Sequence, residues 1–200
     1  MTMEAFEQFV AVAMEGEGLV VSSAVKFFVK RKTKKQIHDE YQEHGYEVDL
    51  VGANSEKLVL ATVKSFFGSR GVQAREVTGV SGSTGAYRLL NDPDLRAQVI
   101  AKAHDRYQYP VAKIFLRLYV GKFAGKGGAD EAPIREWCGR QELQSGPIEV
   151  FSVNQVVKEV KKVAARRTYI NNPSIVALKV LQATGDLDLQ SVASQDAAED

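Results

Sequence analysis

The sequence predicts an α/β fold in which a mixed β-sheet is flanked by helices, and three observations carry that expectation. Residues 46–51 alternate acidic and apolar side chains, residues 58–64 are rich in aliphatic and β-branched residues, and the polar segment Ala-Asn-Ser-Glu-Lys between them is a natural turn, the pattern of a β-hairpin. A further apolar run over residues 111–123, VAKIFLRLYVGKF, alternates enough to form a long strand, with Lys113, Arg117 and Lys122 as polar interruptions. Around and between these runs, residues 3–14, 91–107 and 152–167 carry apolar side chains at the spacing of an amphipathic helix.

The opening helix, residues 3–14, sets Phe6, Phe9, Val10 and Ala13 on one face, with Glu4 and Glu7 in the first turn, where the helix dipole favours acids. Gly16 and Gly18 end it. Residues 19–29 are rich in Val and Phe and suit a strand, although Val25, Phe28 and Val29 also fit a helical face, and both alternatives stand. In residues 33–44, Ile37 and Tyr41 ahead of Gly45 predict a short helix leading into the first hairpin arm. His38 and His44 on it do not share a face and are expected as surface histidines. After the hairpin, FFGSRG carries two aromatics and a turn. VTGVSGSTG is a connector or a loop over a groove, without the Gly-Lys-Ser/Thr of a phosphate loop.

Asp92 followed by Pro93 starts the helix of residues 91–107, whose Leu95, Val99, Ile100 and Ala103 share a face. Pro133 begins a short helix containing Trp137, a packing residue, and residues 147–151 suit a short strand. In residues 152–167, Val153, Val156, Val157, Val160 and Val163 face inward and five Lys and Arg side chains face out. Asn172 and Pro173 cap a last helix that stops at Gly185 and completes a C-terminal helical hairpin.

Composition narrows the function classes. The chain has 200 residues, 44% hydrophobic and 26% charged, enough for one domain with a sizeable core or a domain with a small appendage. Residues 1–150 are expected to form the α/β core, residues 151–185 a helical segment on or beside it, and residues 186–200 an acidic, disordered tail. A net charge of +1 argues against indiscriminate coating of nucleic acid. The charge is nonetheless uneven, with a basic block at Lys30, Arg31, Lys32, Lys34 and Lys35. That block suits phosphate contacts or a solvated loop. The single Cys138 excludes an internal disulfide and a Cys-based zinc cluster. With no signal-peptide pattern and no apolar run near the ~20 residues that span a bilayer, a soluble cytoplasmic protein without a membrane partner is expected.

The chemistry concentrates on the hairpin. Strand alternation places Glu47 and Asp49 on one face of the first arm, with Val48 and Leu50 on the other, and sets Thr62 and Lys64 together on the second arm. If the two polar faces coincide, four groups converge. Carboxylates are the hard oxygen ligands that Mg²⁺ or Mn²⁺ takes, and a neighbouring Lys can hold a phosphate. The plainer alternative is a hairpin whose polar face meets water. Ser65, Ser69 and Arg70, just beyond the second arm, are placed to touch a phosphate or flanking backbone.

A helix, then GYEVDL, a turn and LVLATVKS resembles the core of the PD-(D/E)XK nuclease superfamily, over about residues 4–120, with the hairpin as its specific part. The resemblance implies the restriction-endonuclease-like fold and Mg²⁺-dependent hydrolysis of DNA phosphodiesters. By it, Asp49 matches the first acid and Lys64 the lysine, Lys64 polarising phosphate or positioning water. Thr62 departs from the pattern, standing where the family has Glu or Asp, and threonine is a poor Mg²⁺ ligand. The resemblance leaves Glu47 to supply a carboxylate, gives Thr62 a supporting role, and makes Glu7 of the opening helix an accessory ligand. The alternative it implies is a nucleic-acid-binding or assembly protein on the same fold without efficient chemistry. A homodimer or larger assembly would suit double-strand cleavage.

Overall fold

The computed structural model describes residues 4–32, 41–80, 85–166 and 170–188, with Arg31 and Lys32 as backbone only. Five strands form one open mixed sheet in the order β1 (Val20–Lys32), β2 (Tyr41–Ala53), β3 (Leu58–Lys64), β4 (Ile114–Val120) and β5 (Glu149–Ser152). The first three are antiparallel, and β4 and β5 continue parallel to β3. The parallel step requires a long crossover. It is made by α2 (Ala74–Val77), α3 (Arg88–Asn91) and α4 (Pro93–Tyr107), and α5 (Glu131–Gly139) makes the next.

Helices cover both faces, which is why β3 and β4 read as nearly unbroken apolar runs. On one face Leu58, Leu60, Leu116 and Leu118 pack with Leu95 and Val99 of α4 and Ile134 and Cys138 of α5. On the other, Val59, Ala61, Val63 and Tyr119 meet α1 (Ala5–Gly16) and α6 (Val153–Ala165), through Phe6, Val10, Met14, Val156 and Val160. The caps follow the residue types. Asp92 accepts the Leu95 N–H at 3.1 Å, and Asn172 accepts from Ser174 at 2.9 Å to start α7 (Pro173–Ala183), which leans on α6. Among the described residues no helix is long and apolar enough to cross a membrane.

Three expectations change. Tyr41 to His44 are not helical: they pair with Lys32 to Val29 in the β1–β2 ladder, and that pairing outweighs the local Ile37/Tyr41 spacing. The rest of that expected helix, including His38, lies outside the described residues, as do most of the acidic tail and part of the VTGVSGSTG loop. The strand over residues 111–123 shrinks to Ile114–Val120, because a 3₁₀ turn at Val111–Lys113 precedes it and Gly121 ends it. The open alternative at residues 19–29 resolves to strand.

The third change bears most on the site. Val48 and Leu50 do not share a face: Leu50 packs toward α1, and Val48 packs on the opposite core. The neighbouring strand does the same. Leu19 and Val21 lie on the α1 side, whereas Val25, Phe27 and Val29, two-residue steps further along, lie on the α4 side. Both strands turn over at one rung, between the pairs Ser23↔Leu50 and Val25↔Val48, where Ala24 stands opposite Asp49. Ala24, on β1, has φ 51°, a left-handed conformation rare in a strand. Beyond this rung the ribbon is held by α4, where the Gln98 amide brackets the Lys30 backbone, accepting from its N–H at 2.7 Å and donating to its carbonyl at 3.1 Å.

Candidate functional site

The β2–β3 ladder runs from Ala53↔Leu58 to Leu50↔Ala61 and stops at the turnover. One residue further, a side chain takes the place of backbone. Asp49 Oδ2 accepts the Val63 N–H at 2.7 Å and the Lys64 ammonium at 3.2 Å. The Asp49 and Lys64 side chains are 23% and 20% exposed, so the pair is sheltered yet open to solvent. A backbone N–H left by a parting strand needs an acceptor, and the carboxylate supplies it while holding Lys64.

α1 brings a second carboxylate to this point. Glu7 accepts the Glu4 N–H at 3.2 Å, closing the first turn, and it lies within electrostatic reach of both Asp49 and Lys64. Burial raises the Glu7 carboxyl above the usual glutamate range, with the negative charges of Asp49 and Glu4 adding to the rise; the Glu4 N–H and Lys64 oppose it. Ser65 Oγ donates to Glu4 at 3.4 Å. Between the first turn of α1 and the 65–69 loop lies an open cleft of about 490 Å³, lined by Glu4, Glu7, Lys64, Ser65, Phe67 and Ser69 among others.

The expected convergence of four polar groups is therefore reduced to the Asp49–Lys64 pair with Glu7 beside it. Thr62 is 5% exposed and paired with Leu118 inside the sheet. Glu47 instead lies 3.8 Å from Lys26, its partner across the ribbon, beyond the turnover. Among the described residues no three His, Cys, Asp or Glu side chains gather closely enough to hold a metal, so Glu7, Glu47 and Asp49 do not form one ligand cluster. Lys30 is exposed on β1, while the side chains of Arg31 and Lys32, and all of Lys34 and Lys35, lie outside the described residues. Ser65 is half-buried at the cleft and Ser69 is exposed on its rim, while Arg70, the next residue, and His44, further along the ribbon, are exposed.

Two features escaped the sequence. One is Phe67, exposed on the cleft rim. The other is Arg117, expected as a polar interruption and found buried in β4. It donates to both oxygens of Glu17 at 3.0 and 2.9 Å, to Glu149 at 2.6 Å and to the Tyr119 hydroxyl at 3.0 Å, and lies over the Phe151 ring. Burial would lower the Arg117 pKa, but Tyr119, Glu17 and Glu149 outweigh it and hold it above the usual value. A signal was present: an Arg inside the apolar run IFLRLYV requires carboxylate partners if both faces of the strand are covered. Compared with known proteins, the chain matches no family model, no curated protein and no solved structure.

Proposed function

We propose that the chain is a divalent-metal-dependent nuclease acting on DNA through a degenerate site of the PD-(D/E)XK type on a restriction-endonuclease-like fold. The carrying observation is the Asp49–Lys64 pair at 3.2 Å, set where β2 leaves β3 and faced by Glu7 from α1. The opening helix, the hairpin and a following strand laid beside β3 support the fold reading.

Asp49 and Glu7 fit a Mg²⁺ or Mn²⁺ ion as a pair, because such ions commonly take one or two protein carboxylates and fill the remaining positions with water and substrate phosphate. Burial is the main reason the Glu7 carboxyl stands above its usual range, with the charges of Asp49 and Glu4 adding to it, and a bound cation would favour its ionised form. Glu47, paired with Lys26, and the buried Thr62 do not fit as ligands. When bound, the metal supplies Lewis-acid polarisation and a lowered water pKa. The chain's own groups do the rest. Glu7 acts as a ligand only as the carboxylate. Lys64 has three donors, of which Asp49 takes one, so it can also hold a phosphate oxygen or the attacking water. Asp49 fixes the position of that ammonium.

A second reading is a nucleic-acid-binding or assembly protein on the same fold, favoured by the buried Thr62 where a third ligand would stand. Cleavage of supercoiled plasmid and single-stranded DNA in Mg²⁺ or Mn²⁺ separates the two. Metal-dependent cleavage lost in Asp49→Ala and Lys64→Ala supports the nuclease. No cleavage with salt-sensitive binding retained supports the second reading.

A further inference from the structure

We infer that Phe67 is a stacking platform for an unpaired nucleobase, so that the strand taken into the cleft lined by Glu7 and Lys64 is single-stranded at that point. This rests on the cleft being a nucleic-acid site and names its substrate class. Phe67 is 55% exposed, and its ring is fixed rather than loose: it meets Phe6 edge-on, with centroids 5.3 Å apart at 84°. It also lies across Gly121, where a Cβ would fall 2.9 Å from Phe67 Cζ and 2.3 Å from the Ser65 carbonyl. Any larger residue at position 121 would push this loop away.

The backbone beneath the ring is held in an unusual state. Phe66 has φ 46°, a left-handed conformation that bulky residues rarely adopt and that persists only where surrounding contacts enforce it. Those contacts are present. Ser69 N–H donates to the Phe66 carbonyl at 3.2 Å, the Lys122 ammonium to the Ser69 carbonyl at 2.8 Å, and Gly121 N–H to the Lys64 carbonyl at 2.8 Å. The result is a rigid aromatic ring exposed beside Lys64, with Arg70 exposed on the same loop. Single-strand binding sites combine these two things, a cation for the backbone and an aromatic ring for a base. In a duplex the base faces are already occupied by their neighbours, so only an unpaired or extruded base can use the ring.

The test is binding in EDTA, which separates it from catalysis. Native protein, Phe67→Ala, Phe67→Leu and Phe67→Tyr are titrated at one salt concentration with a single-stranded oligodeoxynucleotide, the same sequence as RNA, and the DNA duplex. Expected are losses of at least about five-fold in single-strand affinity for Ala and Leu, near-native affinity for Tyr and duplex affinity unchanged within about two-fold. Fluorescence of Phe67→Trp, read against the native chain to subtract Trp137, should be quenched by the single strand of DNA or RNA and not by duplex. Native affinity in Phe67→Leu, or equal losses for duplex and single strand, overturns the platform. Cleavage with single-strand binding intact in Phe67→Ala overturns it while leaving the nuclease reading standing. Stacking without cleavage in Mg²⁺ does the reverse, and no binding of any nucleic acid overturns both.

Discussion

Two charged clusters flank α1, one at each end, and they are finished differently. At its C-terminal end Arg117, only 5% exposed, is gripped by Glu17 and Glu149, with Tyr119 and Phe151 closing around it. At its N-terminal end Asp49 and Lys64 keep about a fifth of their surface exposed, and burial holds the Glu7 carboxyl above its ordinary range. The first cluster has the form of a structural clasp, tying α1 to β4 and β5. The second borders an open cleft lined by Glu7 and Lys64, where a ligand can reach it.

The clasp can be broken first and should show the largest effect. Arg117→Ala removes the shared partner of two carboxylates, of which Glu17 keeps Lys57 at 3.6 Å, and is expected to lower stability by about 3 kcal/mol in denaturant titration. This is the lower end of the range for broken buried pairs, because Glu17 and Glu149 stay 27% and 40% exposed and can be rehydrated. Arg117→Lys should recover little of that loss, since one ammonium cannot reproduce the fork that reaches Glu17 and Glu149 together.

At the open end, structure and chemistry should come apart. Asp49→Ala leaves the Val63 N–H without its acceptor and is expected to cost about 1–3 kcal/mol. Asp49→Asn keeps an acceptor and should restore most of the stability without restoring metal-dependent cleavage. If Asn restored cleavage as well, the carboxylate charge would not be part of the chemistry.

Glu7 gives a smaller effect with a distinctive pH signature. Its proton is held more tightly in the folded chain than in the unfolded one. Its contribution to stability is therefore present in acid and disappears as pH rises from the ordinary glutamate value through the raised one. Glu7→Gln keeps the cap acceptor and should remove this slope, a change of less than about 1 kcal/mol after solvent screening. In the native chain Mn²⁺ affinity should fall as pH drops through the same window, and in Glu7→Gln that dependence should weaken. The smallest effect is expected at Glu47, whose pair with Lys26 is on the surface. Glu47→Gln should move stability by less than about 0.5 kcal/mol and leave cleavage unchanged.

Much of the fold was legible because it depends on local rules. The caps Asp92 and Asn172, the α1 and α6 faces and the hairpin turn each follow from nearby residues, and each stands in the structure. The site was legible only in part. Asp49 and Lys64 come together as the hairpin spacing suggested, but Glu47 and Thr62 do not join them. Strict alternation misassigned Leu50 because nothing in the nearby sequence announces that the β1–β2 ribbon turns over at this rung. The same limit hid Tyr41 to His44, where a helical spacing lost to pairing with a strand about a dozen residues back in the chain.

By itself, then, the sequence determined which segments bury apolar surface, where helices start, and which residues carry charge worth testing. These depend on side-chain type and on spacings of a few residues. Only the tertiary structure decided that the ribbon turns over at Ala24 and Asp49, that Arg117 is a clasp between α1, β4 and β5, and that Phe67 is fixed on the cleft rim by Phe6 and Gly121. Each of these depends on partners tens of residues away, and the free energy that selects them belongs to the packed whole rather than to any segment.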